Sequence, residues 1–260
     1  MSDLAHLSHG ARRTPAGMDP QALEVHYEPI SDLASGDIVG AEALLRRRMP
    51  SGVVQIAARF LPLAESTGLI VEIGRRVVDK ACAEAAGWQK DRHGAVVAVN
   101  ISARQLADPA LPGWIEGVLV RHSLPASRLM LDVPEMVVAT AAVERGANLE
   151  QLHALAALGV QIAVDDVGTG ASSPTYLSRV PASLLKIDGR FTRRVRDAEH
   201  SHLARAIIEL AHELGLQAIA EGIEEEEDAD VLRSLGCDLA QGYLIGRAMG
   251  PTNIASKLRG

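Results

Sequence analysis

Cysteine is scarce in this 260-residue sequence, and long apolar runs are absent from it. The two cysteines, Cys82 and Cys237, are too few for a disulfide framework and indicate a reducing compartment. No apolar run approaches the roughly 18 residues that span a bilayer, and residues 1–20 contain no hydrophobic segment typical of a secretion signal. We therefore expect a soluble, cytoplasmic protein with no membrane partner, in which both cysteines are small buried hydrophobic residues.

Excess positive charge is missing as well. The sequence has 26 Lys and Arg residues against 33 Asp and Glu residues, which gives a formal net charge of −7. An acidic chain is a poor candidate for binding long nucleic acid, because such binding depends on neutralising many phosphates. It can still bind a small anion where metal ions or a few arginines supply local positive charge.

After residue 20, short apolar runs alternate with longer amphipathic segments. Residues 1–20 are punctuated by Gly and Pro and are expected to form a flexible tail, so that residues 21–260 form one domain. Eight runs are candidate strands: EVHYEPI (24–30), DIVGAEAL (37–44), AVVAVN (95–100), RLMLDV (128–133), VQIAVD (160–165), SLLKID (183–188), LQAIAE (216–221) and DLAQGYL (238–244). Candidate helices lie between them, and two of these end at a glycine, Gly159 or Gly215.

This alternation predicts an α/β fold in which helices cover a parallel sheet. Eight strands within residues 21–260 fit a TIM-like (β/α)8 barrel, and an open doubly wound sheet is the alternative. No Gly-rich dinucleotide fingerprint follows the first candidate strand, which counts against the dinucleotide-binding form of the open sheet.

The stretch AVDDVGTG at residues 163–170 ends an apolar run on two adjacent carboxylates. Side chains alternate along a strand, so Asp165 and Asp166 cannot both lie on one face of a regular strand. Their charges also repel each other, which raises the pKa of one of them. A simple turn is one interpretation, since Asp and Gly are common turn residues. A bound cation is the other.

Polar residues end almost every candidate strand. They are Glu42, Asn100, Asp132, Asp165, Asp166, Lys186, Asp188, Glu221 and Gln241. In a (β/α)8 barrel the carboxyl ends of the strands converge on one mouth, where active sites of this fold lie. We therefore expect these side chains to form one site.

The candidate metal ligands in this set are oxygen donors, namely Glu42, Asn100, Asp132, Asp165, Asp166 and Glu221. No His or Cys stands at these positions, which disfavours zinc. Carboxylate and amide oxygens suit Mg²⁺ or Mn²⁺. Five carboxylates are too many for one ion, whereas two ions bridged by one Asp would balance the charge. Such two-metal sites commonly catalyse in-line displacement at phosphorus. Lys186 would orient or deprotonate the attacking water, contact the phosphate, or only balance the charge of its acidic neighbours.

The motifs resemble the EAL domain of cyclic di-GMP phosphodiesterases. The resemblance covers residues 24–248 and rests on AEALLR (41–46), FLPLAESTGLI (60–70), VNISARQL (99–106), DDVGTG (165–170), LLKID (184–188), AEGIE (220–224) and GCDLAQGYLIGR (236–247). It implies a barrel enzyme with two Mg²⁺ or Mn²⁺ ions that hydrolyses one phosphodiester bond of cyclic di-GMP and gives linear pGpG.

The resemblance also implies a role for individual residues. Glu42, Asn100 and Asp132 would hold one ion, Asp165 would bridge both, and Asp166 and Glu221 would serve the second. Lys186 matches the lysine at the attacking water, so the catalytic group would be Lys186, Glu221 and Asp166. The remaining matches bind the substrate or order the site: Arg46 and Gln241 at the substrate, Glu135 beside the loop after Asp166, and Glu224 as the second acid of an EGVE-like motif.

The sequence departs from the family pattern at several of these motifs. The Glu-x-Thr-Glu motif is DVPE at residues 132–135, and Asp132 is shorter than Glu by about 1.5 Å, one C–C bond. The loop reads DDVGTGASSP where DDFGTGYSSL is usual, and Glu28 replaces a usual Gln. The alternative to the phosphodiesterase is therefore a catalytically weakened or inactive EAL domain that acts as a cyclic di-GMP receptor or a protein-interaction scaffold. Related domains often dimerise, which makes a homodimer one expected assembly.

Overall fold

The computed structural model describes residues 22–89, 94–168 and 174–259, and nine strands lie within them. Their bounds are β1 Leu23–Asp32, β2 Ile38–Arg48, β3 Val54–Ile56, β4 Val96–Asn100, β5 Leu129–Pro134, β6 Gln161–Val167, β7 Leu184–Ile187, β8 Gln217–Ala220 and β9 Leu239–Gln241. The strands pair in the order β1-β9-β8-β7-β6-β5-β4-β2, and a β1–β2 pairing closes the ring. This confirms the predicted TIM-like barrel and excludes the open sheet. Strand β3 pairs with β2 outside the ring.

Ten helices of the described residues accompany the strands. They are α1 Leu61–Thr67, α2 Ile70–Trp88, α3 Ala103–Leu106, α4 Leu111–His122, α5 Glu135–Glu144, α6 Ala147–Ala157, α7 Gly189–Thr192, α8 Ala198–Glu213, α9 Glu226–Ser234 and α10 Pro251–Arg259. Gly159 and Gly215 follow α6 and α8 with φ of +91° and +71°, so both predicted glycine terminators are confirmed. In the part of the chain that is described, no helix is both long and apolar enough to cross a membrane.

The first strand departs from the predicted parallel sheet, because β1 runs antiparallel to both of its neighbours, β2 and β9. Only residues 33–37 join β1 to β2, and a parallel crossover needs a dozen or more residues. The Asp32 carboxylate accepts hydrogen bonds from the backbone N–H groups of Ala34 and Ser35, and Gly36 has a φ of +76°. A tight turn therefore reverses the chain and makes β1 a hairpin partner of β2.

Two apolar clusters hold the barrel together. The larger one lies between the strands and the surrounding helices and includes the free cysteines Cys82 and Cys237, which are both buried as expected. The smaller one is a single layer inside the barrel: Ile30, Ala98, Met130, Ala163, Leu184, Ile219 and Leu239. Because side chains alternate along a strand, the next residue that faces the interior stands two positions further on. This two-residue spacing positions the functional site next to the apolar layer.

Candidate active site

A layer of polar side chains lies directly above the apolar layer in the barrel, at the carboxyl ends of the parallel strands. Each parallel strand that contributes to the apolar layer places its polar residue two positions later. These residues are Asn100, Asp132, Asp165, Lys186, Glu221 and Gln241. Glu42 joins them from β2, two residues after Gly40, which is paired with Ile30. The structure therefore brings together seven of the residues that the sequence predicted to converge.

Lys186 lies at the centre of this layer, and its side chain is 1% exposed. Its ammonium nitrogen is 2.7 Å from Glu221 Oε1 and 2.8 Å from Asp132 Oδ2. Glu42 and Asp165 carboxylate oxygens lie 3.5 and 3.6 Å from the same nitrogen. Burial alone would lower the pKa of Lys186, but the four carboxylates outweigh it and raise that pKa well above its ordinary value. Lys186 is therefore a charged ammonium that balances part of the acidic layer.

One lysine does not neutralise this many buried carboxylates. Burial raises the pKa of Asp132 to about 7 and that of Glu221 to about 8, with Lys186 opposing and other carboxylates adding to the shift. Burial acts in the same direction on Glu42, but Lys186 and hydrogen bonds from two amides hold the pKa of Glu42 below its usual value. The layer thus carries acid groups that additional cations would stabilise in their ionised form.

Two amide side chains orient Glu42. Asn100 Nδ2 donates a hydrogen bond to Glu42 Oε1 at 2.6 Å, and Gln241 Nε2 donates one to Glu42 Oε2 at 2.8 Å. Asn100 was predicted as a metal ligand and Gln241 as a substrate-contacting or site-ordering residue. Their contacts with Glu42 place both of them in the polar layer, and their functional roles remain predictions.

The adjacent acids Asp165 and Asp166 occupy an irregular end of β6. The pairing of β6 with β7 shifts register between Val164 and Val167, and Asp166 has a φ of +58°. Left-handed backbone costs a non-glycine residue roughly 1–2 kcal/mol, and such strain is concentrated at functional sites. The bulge also explains how two neighbours share one side of a strand. Their carboxylate oxygens, with one from Glu221, all lie within 4.8 Å of one another.

Besides the number of oxygen donors, two observations indicate that this site fits divalent cations. Asp132 is 0% exposed, and its Oδ1 has no hydrogen-bond partner within the described residues. A buried carboxylate oxygen without a donor is costly unless a cation or a further donor reaches it. The three carboxylates of Asp165, Asp166 and Glu221 form a second group that is compact enough for one ion. These donors are the type that Mg²⁺ and Mn²⁺ prefer.

Glu135 connects the end of β5 to the segment that follows the altered loop. It is buried at the start of α5, and Tyr176 Oη donates a hydrogen bond to Glu135 Oε1 at 3.0 Å. Tyr176 belongs to a short 3-10 helix, Pro174–Arg179. Residues 169–173, which include the substituted position Ala171, lie outside the described residues. Glu135 thus contacts the short helix that follows the loop, and its role beside the loop stays a prediction.

The polar layer opens into a cavity of about 420 Å³. Glu224 lies exposed in its wall, near Glu221 and Gln241. Arg46 stands further along β2 from Glu42, half-buried, and donates a hydrogen bond to the Leu45 carbonyl. Burial lowers the pKa of Arg46, and the nearby carboxylates of Glu28 and Glu42 oppose that shift.

Two charged residues that line this cavity, Glu28 and Arg193, were not among the residues that the sequence predicted for the site. Glu28 stands opposite Glu42 in the β1–β2 pairing, and burial together with Glu42 raises the pKa of Glu28. On the reversed strand β1 the polar residue precedes the apolar one, Ile30, by two positions. That spacing would have indicated Glu28 once β1 was known to be antiparallel. Arg193 follows α7 and has no comparable signal in the sequence.

Comparison with known proteins identifies this arrangement. The model of the EAL domain family matches residues 12–248. The chain belongs to the EAL domain family. This EAL domain is 42% identical over 234 residues to MucR of Pseudomonas aeruginosa, a protein described as a bifunctional diguanylate cyclase/cyclic di-GMP phosphodiesterase. The aligned region covers 89% of this chain and 34% of MucR, and the chain spans about a third of the length of the curated relatives that it matches.

Solved structures confirm the fold of the EAL domain. The PaMucR phosphodiesterase in its c-di-GMP complex superposes with a TM-score of 0.84 at 41% sequence identity, over 90% of this chain and 95% of the other. The EAL enzyme Bd1971, solved with cAMP and cyclic di-GMP bound, gives a TM-score of 0.87 at 28% identity. That alignment covers 92% of this chain and 65% of Bd1971.

Proposed function

We propose that this EAL domain is a metal-dependent phosphodiesterase that hydrolyses cyclic di-GMP to linear pGpG. The observation that carries the proposal is the polar layer itself: oxygen donors from six strands meet around one buried lysine at the mouth of the barrel. The names of the related proteins, a cyclic di-GMP phosphodiesterase and a c-di-GMP complex, support the choice of substrate.

Two divalent ions, Mg²⁺ or Mn²⁺, are part of the proposal. Glu42, Asn100 and Asp132 would hold one ion, Asp166 and Glu221 would hold the other, and Asp165 would bridge them. When bound, such a pair activates a water and stabilises the oxygens around the reacting phosphorus. The unpartnered Asp132 Oδ1 and the compact group at Asp165, Asp166 and Glu221 support this assignment.

The side chains around the metals have separate tasks in the proposed reaction. Lys186, as an ammonium, donates a hydrogen bond to the attacking water and orients it. The water oxygen bonds to phosphorus, the bond from phosphorus to the 3′ oxygen breaks, and the proton ends on the departing 3′ hydroxyl. Gln241 holds Glu42 in place, and Arg46 supplies positive charge to the substrate.

A second candidate function is a cyclic di-GMP receptor with little or no turnover. Asp132 favours it, because this ligand is one methylene shorter than the family glutamate and is fully enclosed beside Lys186. Mg²⁺ requires ligands at about 2.0–2.1 Å in octahedral geometry, so a short ligand weakens that site. We expect hydrolysis at a reduced rate rather than its absence, since the other proposed ligands match the family.

Incubation of the purified protein with cyclic di-GMP and Mn²⁺ tests the proposal, with pGpG followed by chromatography. Formation of pGpG that stops in excess EDTA is the expected result. Titration calorimetry in Ca²⁺, which accepts oxygen donors with less strict geometry, measures binding without turnover. Binding without pGpG would show the receptor function. The absence of both would overturn the proposal and leave an interaction scaffold.

The proposal extends to location and assembly. A cytoplasmic protein accords with two free cysteines, both buried. A homodimer is supported by two exposed apolar side chains on α5, Met136 and Val143, which are 53% and 72% exposed and seven residues apart on one helix face. Light scattering of the protein and of a Val143→Glu variant tests the dimer, which the added charge should dissociate.

A further inference from the structure

Arg193 lies in the wall of the cavity, and its side chain is exposed. It is the first residue after the short helix α7, which begins beside Asp188 at the end of β7. Its guanidinium rests on the backbone of two glycines. A Cβ atom would lie 2.5 Å from Arg193 Nη1 at Gly222 and 2.6 Å from it at Gly189. A side chain at either position would displace the guanidinium, which lies against the backbone of Gly189 and Gly222.

The charge of the cavity makes Arg193 unusual. Six acidic residues line the cavity: Glu28, Glu42, Asp165, Asp188, Glu221 and Glu224. Arg193 is the one cationic residue among the described residues that line it. A ligand with negative charge would be repelled by these six acids and attracted by this guanidinium, by the buried Lys186 ammonium and by bound cations.

The neighbouring arginines are all engaged, and Arg193 is not. Arg190 pairs with Asp188 at 3.0 Å, Arg194 with Asp197 at 3.2 Å, and Arg196 with Asp228 at 2.8 Å. The guanidinium of Arg193 makes no ion pair or hydrogen bond with any residue that the structure describes, although the cavity around it is acidic. Its donors are therefore free to bind an anion that enters the cavity.

We propose that Arg193 binds the phosphate of the cyclic dinucleotide that is not cleaved. This inference rests on the proposed function. The substrate carries two phosphodiester groups, and ions held by the polar layer would neutralise the one that reacts. The second phosphate is held away from that centre by the ribose rings, and Arg193 is the guanidinium that the cavity wall presents to it. A guanidinium suits it, because its fork of N–H donors matches the phosphate oxygens. Arg193 would thus select substrates with two phosphates.

Calorimetric titration of cyclic di-GMP in Ca²⁺ into the intact protein tests the assignment with three variants. Arg193→Ala should weaken binding by about tenfold, the usual effect of losing a hydrogen-bonded charge. Arg193→Lys should recover part of the loss, because an ammonium still attracts phosphate as a point charge. Arg194→Ala, a control on the next residue, should bind within about twofold of the original protein, because its side chain points to an exposed pair.

Two further measurements separate substrate contact from structural damage. Binding of Mn²⁺ without nucleotide should be unchanged in Arg193→Ala, and in turnover its KM should rise while kcat is maintained. Equal cyclic di-GMP affinity in Arg193→Ala and the original protein would overturn the assignment, as would weaker Mn²⁺ binding or an equal loss in Arg193→Lys. If the original protein itself bound no cyclic di-GMP, the proposed function would fail first.

Discussion

Glu28 and Glu42 stand directly opposite each other on the antiparallel strands β1 and β2, and both line the cavity. Directly opposed residues have Cβ atoms about 4.5–5.5 Å apart, so two carboxylates in this arrangement repel each other. One of the pair, Glu42, is a proposed metal ligand, and the other occupies a position where the family usually has Gln. Glu28 therefore adds a negative charge where an anionic substrate is expected.

Replacing Glu28 by Gln should strengthen binding of cyclic di-GMP. The substitution removes a partly buried charge close to the substrate and keeps the shape of the side chain. We expect the dissociation constant of cyclic di-GMP in Ca²⁺ to fall by about threefold to tenfold. This is the effect of weakening one like-charge contact at a partly exposed site. Glu24→Gln is the matched control, since Glu24 lies on the same strand and pairs with the exposed Arg48. Equal affinity of the Glu28→Gln variant and the original protein would contradict the repulsion.

Replacing Asp132 by Glu should raise turnover. The longer side chain places its carboxylate about 1.5 Å further into the site, where the family glutamate would reach the ion. We expect kcat with Mn²⁺ to increase by about tenfold, as for a corrected ligand position near the reacting group. The isosteric Asp132→Asn control should bind Mn²⁺ more weakly than the original protein. Unchanged turnover in the glutamate variant would remove the short ligand as the cause of reduced activity.

Stability of the metal-free protein should fall as the pH rises from 5.5 to 8.5. The pKa values of Asp132 and Glu221 are raised to about 7 and about 8 by burial, above those of the unfolded chain. The folded state then binds more protons than the unfolded state, so stability is lost as these groups ionise. Differential scanning fluorimetry in EDTA should show Tm decreasing across this range.

Added Mn²⁺ should raise Tm most at the high-pH end, because it stabilises the ionised carboxylates. The Glu221→Gln variant serves as the control and should show a shallower pH dependence in EDTA. A Tm that rises with pH in the metal-free protein would show that these two carboxyl groups are not held in the protonated form by burial.

The strands were predictable from the sequence because each apolar run ends on a polar residue in the same register. Asn100 and Asp132, for example, are paired across β4 and β5, as their positions at the ends of AVVAVN and RLMLDV suggested. The short strand β3 was missed, since three residues contain no periodicity. The direction of β1 was missed although the short connection to β2 requires it, and this error also concealed Glu28.

Other features of the site depend on tertiary structure. The left-handed backbone of Asp166 arises where β6 loses register with β7, and two adjacent acids in a sequence do not indicate it. Arg193 lies in a segment that also contains Arg190, Arg194 and Arg196. Only the packing of its guanidinium on Gly189 and Gly222 distinguishes it from these paired neighbours.

Removing the hydroxyl of Tyr176 should loosen the segment beyond the altered loop. Tyr176→Phe deletes the hydrogen bond to the buried Glu135 carboxylate while keeping the aromatic ring. We expect the free energy of unfolding to fall by about 1–3 kcal/mol, measured by urea denaturation. Turnover should fall more than cyclic di-GMP affinity if this contact positions the loop for catalysis. A Ser178→Ala control, at an exposed hydroxyl of the same short helix, should change neither.

Lys186→Gln distinguishes charge balance from catalysis at the centre of the site. In EDTA, loss of the ammonium leaves four carboxylates without the cation that they share. Breaking a buried ion pair in this way typically costs about 3–5 kcal/mol of stability. Mn²⁺ should restore most of that stability, because the ions supply the missing positive charge. Turnover should remain lost even with Mn²⁺, since no group then orients the attacking water. Lys80→Gln, at an exposed lysine on α2, should leave both properties unchanged. If the Lys186→Gln variant regained turnover with Mn²⁺, Lys186 would act only as a charge balancer. Full stability of this variant in EDTA would show that Lys186 does not balance charge either.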